Sequence, residues 1–312
     1  MKAIIINKPG GVDNFEYIET AKPEINSDEV LVQIKAVSIN PVDVKVRAGG
    51  GIYQVLKNEH PLILGWDISG VVIASGADAA FKPGDEVFGM VRFPGHGKAY
   101  AEYVAAPASQ LAAKPANITH EQAAASTLAA LTAYQAMTRH ANVKPGQKVL
   151  VHAAAGGVGH FAVQIAKHLG AYVVGTSSVK NKDFVMSMGA DEHIGYQGYD
   201  WKNSEIKYDF VMDTVGAENI DKSLDVVKDG GVVISIPAGL SESQIERAKA
   251  KNVNAVFFLV TSSGIDMEVL AAWLSQGIIK PHVSEVFNFN EMDKAHLQVE
   301  SGRTVGKVVV RL

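Results

Sequence analysis

The sequence contains no cysteine among its 312 residues. Disulfide bonds, thiolate nucleophiles and zinc sites built from sulfur ligands are therefore excluded. The ten histidines are scattered and form no H-E-x-x-H motif or comparable cluster. A metal site made of histidine and carboxylate alone stays open, but nothing in the spacing supports one.

Long hydrophobic runs and an excess of positive charge are also missing. No apolar run reaches the roughly 20 residues needed to span a bilayer, and the isoleucines at 4–6 are too few for a signal-peptide core. The formal net charge is −4 at pH 7, which gives no general attraction to nucleic acid or to an anionic membrane surface. We therefore expect a cytoplasmic protein that acts on small molecules and has neither a nucleic-acid nor a membrane partner.

A strand, a glycine turn and a helix are predicted in succession between residues 149 and 169. A short apolar run at 149–151 is followed by small residues at 153–157, and apolar residues at helical spacing then continue to Gly170. This order places a pyrophosphate at the N-terminus of a helix. The predicted phosphate contacts are Ala154, Gly156, Gly157, Val158 and Gly159. Ala154 replaces the first glycine of G-x-G-x-x-G, and a tight turn without a ligand is the alternative.

The chain changes character near Thr119. Before it, many short strand-like segments separated by proline and glycine predict a β-rich, barrel-like unit. Thr119 and Gln122 then form a predicted capping box, and strand and helix patterns alternate as in a doubly wound α/β sheet. The apolar tail at 306–312 is expected to pair with the first unit. We predict a discontinuous domain of residues 1–122 and 263–312, and a dinucleotide-binding domain of residues 123–262.

The segment after the second strand of this sheet predicts which cofactor is bound. NAD-binding folds place a carboxylate about 20 residues after the glycines. Here Ser177, Ser178 and Lys182 stand in that region, and hydroxyl and ammonium groups suit a 2′-phosphate. The prediction is NADPH. The alternative is a serine-rich loop that caps the next helix at Asn181, with no preference between the two cofactors.

Several motifs together resemble one known family. They are NPVD at 40–43, GWDISGVV at 65–72, KPGDEV at 82–87, AYAEY at 99–103 and GKVV at 306–309. Over essentially the whole chain, the sequence resembles the zinc-independent quinone oxidoreductases (zeta-crystallin-like) of the medium-chain dehydrogenase/reductase superfamily. The resemblance implies a GroES-like catalytic domain, a Rossmann domain and a cleft between them. It also implies hydride transfer from NADPH to a quinone or an α,β-unsaturated carbonyl.

Two departures from the zinc-dependent relatives affect the mechanism. Those relatives place a cysteine where Asn40 stands, and Gly-His-Glu where this chain has Gly65, Trp66 and Asp67. Neither ligand is present here. Since no metal would polarise an alcohol, alcohol oxidation by the zinc route is not expected.

The same resemblance implies further cofactor contacts. Tyr196 would lie near the adenosine ribose, Val215 at the end of a strand beneath the cofactor, and Phe257 and Phe258 near the nicotinamide. The alternative for Tyr196 is a surface aromatic residue. For the two phenylalanines the alternative is a place in the core.

Hydride transfer also needs a donor for the oxygen that gains negative charge. The aligned candidates are Asn40, Tyr53 and Thr127. Asn40 could instead be a turn residue before Pro41, and Tyr53 could anchor the glycine segment at 49–51. Proton delivery by solvent would require neither of them.

Two alternative functions stay open, and the sequence also predicts an oligomeric state. An enoyl-thioester reductase shares the superfamily and the hydride chemistry, and a non-catalytic NADPH-binding protein would bind cofactor without oxidising it. In the family, an edge strand of the Rossmann sheet pairs with its symmetry mate. The apolar run at 254–260 would risk aggregation if it were exposed. We therefore expect a homodimer.

Overall fold

The computed structural model describes residues 1–312. They form two compact units, one of residues 1–131 and 260–312 and the other of residues 132–259. Up to the first boundary the strands are β1 Lys2–Ile6, β2 Phe15–Glu19, β3 Glu29–Ile39, β4 Leu62–Ile63, β5 Asp67–Ser75, β6 Glu86–Met90, β7 Tyr103–Pro107 and β8 Leu111–Ala113. The helices are α1 Pro41–Arg47, α2 Tyr53–Leu56, α3 His120–Ala125 and α4 Leu128–Gln135, the last of which crosses the boundary.

The second unit alternates strands and helices as the sequence predicts. Its elements are β9 Lys148–Val151, α5 Gly159–His168, β10 Tyr172–Ser177, α6 Lys182–Ser187, β11 Glu192–Gly195, β12 Tyr208–Asp213, α7 Asn219–Val226, β13 Val227–Ser235, α8 Glu242–Ala250 and β14 Asn254–Phe257. The chain then adds α9 Gly264–Ser275, β15 Val283–Asn288, α10 Met292–Glu300 and β16 Lys307–Arg311. No helix has the length and hydrophobicity to cross a bilayer.

The first unit is built on two sheets. The larger has seven strands, with β15-β16-β3-β5-β6-β8 in order and β7 paired to β3, and the smaller has the order β2-β1-β4. The C-terminal strand β16 is buried over four of its five residues and pairs antiparallel with β3. The prediction that the apolar tail joins the first unit is therefore confirmed.

The second unit is a six-stranded sheet with the order β11-β10-β9-β12-β13-β14. Every neighbouring pair in it is parallel. From β9 the chain builds outward in one direction to β11, and then from β12 in the other direction to β14. The strand order thus reverses between β9 and β12, which confirms the doubly wound α/β class.

Local sequence signals set several helix ends. Thr119 Oγ1 accepts a hydrogen bond from Gln122 N at 3.2 Å, and Gln122 Oε1 accepts one from Thr119 N at 3.0 Å, so the predicted capping box forms before α3. After α5, Gly170 takes a φ of +83°. Glycine adopts this left-handed conformation without the steric cost that a β-carbon adds.

The strand predicted over the apolar run that ends at Val260 is longer than the observed β14. Its ladder partner β13 ends at Ser235, which lies opposite Phe257. Beyond that pair the chain has no neighbouring strand, so regular pairing ends there. The later residues Phe258 and Val260 are buried outside any strand.

Candidate functional site

The predicted nucleotide contacts lie at the carboxyl ends of the parallel strands in the second unit. Residues 154–159 follow β9, Ser177 ends β10, Tyr196 follows β11, Val215 follows β12 and Phe257 ends β14. Because all six strands are parallel, these positions share one edge of the sheet. In doubly wound sheets, ligands bind outside this edge where the strand order reverses.

The turn between β9 and α5 brings backbone close to backbone. Ala153 adopts a φ of +47°, which is unusual for a residue with a β-carbon. Ala154 N donates to Thr176 O at 2.8 Å, which ties the turn to β10. A β-carbon on Gly159 would lie 2.2 Å from Ala153 O. Only glycine fits at that position.

Two backbone groups in this turn suit an anion. The N–H groups of Gly157 and Val158 donate to no acceptor within the protein. Both residues are half-buried and directly precede the ten-residue helix α5. Unpaired N–H groups at the start of a helix, together with its dipole, bind phosphate. The turn therefore fits the pyrophosphate of a dinucleotide.

The neighbouring strand ends are held by Thr214, which the resemblance places beneath the cofactor together with Val215, and by Asp213, for which the sequence predicted no role. Thr214 Oγ1 donates to His152 O at 2.7 Å, which joins the end of β12 to the turn after β9. The buried Asp213 accepts hydrogen bonds from Val215 N at 2.9 Å and Gly216 N at 2.8 Å. A carboxylate that ends an apolar strand before a Thr-Val-Gly turn was the available sequence signal.

The residues predicted to bind a 2′-phosphate are neighbours. Ser177 is buried, Ser178 is half-buried, and Lys182 is exposed at the first position of α6. Tyr196 is 48% exposed, and its backbone N donates to Ser177 O at 3.2 Å. Lys182 makes no ion pair within the chain. An ammonium without an ion pair and serine hydroxyls within the same six-residue segment have the chemistry to bind a phosphate.

The remaining predicted contacts differ in accessibility. Val215 is 51% exposed and Phe257 is 44% exposed, so both are accessible. Phe258 is 6% exposed, and its ring lies 4.6 Å from that of His140. Phe258 therefore occupies a core position, the alternative that the sequence left open for both phenylalanines. Phe257 presents its ring at the surface. Their roles at the nicotinamide stay predictions.

Asn40, in the first unit, is buried and uses both ends of its amide. Its Nδ2 donates to Asp67 Oδ2 at 2.7 Å and to Ser38 O at 3.4 Å. Its Oδ1 accepts a hydrogen bond from Lys307 Nζ. Asn40 is also the N-cap of α1, as expected for a turn residue before a proline. Both amide hydrogens are therefore directed to acceptors of the protein.

Asn40 connects Lys307 to two buried carboxyl groups, since it accepts from Lys307 and donates to Asp67 and, through its backbone N–H, to Asp43 at 2.8 Å. This lysine is 3% exposed, and its Nζ also donates to Ile39 O at 3.1 Å. Burial raises the pKa of Asp43 to about 7, with a further contribution from Asp67. Burial also raises the pKa of Asp67 and lowers that of Lys307. Residues Asn40, Asp43, Asp67 and Lys307 are called the buried charge cluster below.

Thr127 meets the cluster, whereas Tyr53 does not. Asp67 Oδ1 accepts from Leu128 N at 2.9 Å, and the buried Thr127 lies within hydrogen-bond reach of the same carboxylate. Thr127 Oγ1 donates to Ala124 O at 2.9 Å. Tyr53 begins α2, is half-buried, and shares no hydrogen bond or ring contact with either of the other two candidates.

The positions that hold zinc in the zinc-dependent relatives have other side chains and other partners here. Trp66 is 1% exposed, and its Nε1 donates to Gly95 O at 2.7 Å. An indole offers no metal ligand. The Asn40 carbonyl oxygen already faces the ammonium of Lys307, a cation that would repel a second one. No group of three or more histidine, aspartate or glutamate side chains is placed to hold a metal ion.

The buried charge cluster predicts a pH-dependent stability. The pKa of Asp43 rises from its usual 3.8 to about 7, so the folded protein retains a proton there that the unfolded chain releases. The contribution of Asp43 to the free energy of unfolding is greatest below about pH 4 and is lost as the pH rises toward 7. Replacing Asp43 with asparagine should remove that loss. The variant should gain up to about 4 kcal/mol over wild type across this range.

Urea unfolding of both proteins at successive pH values measures this difference. Asp78→Asn, at an exposed loop position, is the control and should follow the wild type. Parallel pH profiles for wild type and Asp43→Asn would contradict the prediction.

Comparison with known proteins places the chain in a family. Residues 26–116 match the family described as alcohol dehydrogenase GroES-like domain, and residues 188–310 match the one described as zinc-binding dehydrogenase. A 2-methylene-furan-3-one reductase from Solanum lycopersicum is 33% identical over 99% of this chain and 79% of its own length. An NADPH-dependent alkenal/one oxidoreductase from Arabidopsis thaliana has the same identity and coverage.

A solved structure gives the same assignment. The quinone oxidoreductase from Coxiella burnetii superposes with a TM-score of 0.94 at 36% identity, covering 100% of this chain and 99% of its own. The chain belongs to the quinone oxidoreductases of the medium-chain dehydrogenase/reductase superfamily. The predicted combination of a GroES-like and a Rossmann domain is thereby confirmed.

Proposed function

We propose that this protein is an oxidoreductase that reduces quinones or α,β-unsaturated carbonyl compounds with NADPH, without a metal. The observation that carries the proposal is the edge of the parallel sheet in the second unit. There the unpaired N–H groups of Gly157 and Val158 share the sheet edge with the end of β10, where Ser177 ends the strand, Ser178 follows it and Lys182 begins α6. The relatives that reduce an alkenal, an enone or a quinone by name support the choice of acceptor.

The residues of this edge have separate tasks in binding. The turn at 154–159 holds the pyrophosphate through backbone N–H groups. Lys182 and the two serines hold the 2′-phosphate, Tyr196 packs on the adenosine, and Val215 and Phe257 border the nicotinamide. The bound NADPH supplies the hydride. The protein holds it in position and excludes water from the transfer.

The substrate oxygen that gains negative charge needs a hydrogen-bond donor. We choose among the three candidates by asking which side chain keeps a hydrogen that no protein group accepts. Asn40 and Thr127 direct their side-chain hydrogens to protein acceptors. The Tyr53 hydroxyl forms no hydrogen bond with a protein group. We assign the donor role to Tyr53 and the support of the buried charge cluster to Asn40 and Thr127. Tyr53→Phe should lower kcat/KM for the acceptor and leave NADPH affinity unchanged.

We propose that the protein uses no metal, because the side chains at the positions that bind zinc in the zinc-dependent relatives do not suit a metal ion. Trp66 has no ligand atom to offer, and Asn40 faces the ammonium of Lys307. Treatment with a strong chelator should therefore leave turnover unchanged. Loss of activity that zinc restores would contradict this part of the proposal.

Oxidation of NADPH in the presence of four acceptors tests the function. The acceptors are phenanthrenequinone, benzoquinone, a simple enone and a crotonyl thioester. We expect turnover with a quinone or the enone. Turnover with the thioester alone would favour the enoyl-thioester reductase. NADPH binding without oxidation by any of the four would favour a non-catalytic protein.

The cofactor preference tests the 2′-phosphate contacts. Lys182→Ala should raise KM for NADPH about tenfold, because one charge-assisted contact is lost, and should leave KM for NADH unchanged. Lys202→Ala, at another exposed position, is the control. The assignment is wrong if wild-type kcat/KM is equal for both cofactors, or if Lys182→Ala raises both KM values alike.

The homodimer is proposed on the edge strand β14. It pairs only with β13, so its other edge has no partner strand within the chain. A second copy paired along this edge would satisfy the unpaired backbone groups. Light scattering should give the mass of two chains, and a monomer mass would contradict the proposal. The cytoplasmic location stays a prediction.

A further inference from the structure

His193 is a polar residue beside the proposed 2′-phosphate contacts that has no role so far. It lies in β11 opposite Gly175 of β10, two positions before the pair formed by Gly195 and Ser177. Its Nε2 is 2.8 Å from Ser177 Oγ, a hydrogen-bond distance. The ring is only half-buried. This histidine therefore contacts one of the residues that select the cofactor.

We assign to His193 the tautomer that matches the other hydrogen bond of Ser177. Ser177 Oγ carries one hydrogen, which it donates to Ser178 O at 3.0 Å. With this assignment, the bond with His193 uses the Nε2–H group as donor and the serine oxygen as acceptor. This leaves the proton-free lone pair on Nδ1. No protein group forms a hydrogen bond to Nδ1.

The charges around this ring set its protonation state. Lys182 of α6 is the charged group that acts on it, and burial together with this ammonium lowers the pKa of His193. From β10 the ring meets only the uncharged Ser177. On β11, the carboxylate of Glu192 accepts a hydrogen bond from Tyr172 instead. While no anion is bound, the ammonium of Lys182 disfavours a second positive charge on this ring.

A phosphate dianion beside Lys182 would instead favour the protonated form of His193. It offsets the ammonium charge and favours a second cation next to it. We propose that His193 takes up a proton from solvent at Nδ1 when a 2′-phosphate binds, and so strengthens selection of NADPH over NADH as the pH falls. This inference rests on the proposed function.

The substitution His193→Gln separates charge from positioning. Glutamine can still donate a hydrogen bond to Ser177, but it cannot gain a proton. His168→Gln is the matched control, since it makes the same change at an exposed position at the far end of α5. Adenosine 2′,5′-bisphosphate and adenosine 5′-phosphate serve as probes, because they differ only in the 2′-phosphate.

Calorimetric titrations at several pH values, in two buffers of different ionisation enthalpy, report affinity and proton uptake together. The affinity ratio of wild type to His193→Gln for the bisphosphate should be about tenfold near pH 6 and approach unity above pH 8. The ratio cancels the titration of the phosphate itself. Proton uptake should be smaller in His193→Gln than in the other two proteins. The monophosphate should bind all three proteins alike.

The outcomes distinguish this inference from the function on which it rests. If wild type prefers the bisphosphate but His193→Gln shows the same affinity and proton uptake at every pH, the role of His193 is refuted and NADPH selection stands. If wild type binds both probes alike, the proposed 2′-phosphate site itself is refuted.

Discussion

Replacing Lys307 with methionine is expected to lower the free energy of unfolding by about 3–5 kcal/mol, the cost of removing one partner from a buried ionic group. Lys307 is 3% exposed and is the cation among the buried carboxyl groups of Asp43 and Asp67. Without it, the carbonyl oxygen of Asn40 loses its donor and the two carboxyl groups lose their counterion. Urea unfolding at neutral pH measures the effect.

A second substitution shows whether charge is the cause. Adding Asp67→Asn to Lys307→Met removes a buried negative charge along with the positive one. The double variant should therefore lose less stability than the sum of the two single variants. A loss below about 1 kcal/mol in Lys307→Met, within the range of surface ion pairs, would contradict a buried charge cluster.

Replacing Gly159 with alanine is expected to abolish measurable NADPH binding at concentrations that saturate the wild type. The new β-carbon would lie 2.2 Å from Ala153 O and 2.8 Å from Ala154 Cα, and both are backbone atoms that no side-chain rotation can relieve. The turn between β9 and α5 must then open. The N–H groups of Gly157 and Val158 would move with it.

Cofactor fluorescence and thermal unfolding should be measured on the same samples, so that lost binding is separated from lost folding. Gly239→Ala is the control, since a β-carbon there meets nothing within 4 Å. It should bind NADPH like the wild type. If Gly159→Ala is folded and also binds NADPH normally, the turn does not hold the pyrophosphate.

The second unit was largely predictable because its signals are local. The run around Val149, the glycines after it and the alternation of strands and helices lie within short stretches. The parallel pairing follows from that alternation. Ser177 ends β10 and Lys182 begins α6, so both lie in the segment where the sequence predicted a phosphate contact, while that role itself stays a prediction. The end of β14 was not predictable, since it depends on where β13 stops opposite Phe257.

The buried charge cluster was not predictable, because its contacts join residues that are far apart in the sequence. Lys307 comes just before an apolar run, a place where a lysine usually reaches solvent. Its hydrogen-bond partner Asn40 is 267 positions away along the chain, so no local pattern joins them. The tail was correctly predicted to pair with the first unit, but the register with β3 decides which groups meet.

The contact of His193 was not predictable for the same reason. Its partner Ser177 lies on the adjacent strand, and only the parallel register of β10 and β11 brings the two side chains together. The sequence showed an isolated histidine after a glutamate. Pairing between strands, rather than spacing along one of them, places it next to Ser177.

The central claim is direct hydride transfer from NADPH to the acceptor, and isotope transfer tests it most directly. The two C4-deuterated epimers of NADPH are each incubated with an enone and chelator-treated protein, and the saturated product is analysed by mass spectrometry and NMR. One epimer should deliver one deuterium to the β-carbon, at a rate that the chelator does not change. A saturated product that carries no deuterium from either epimer would contradict the account.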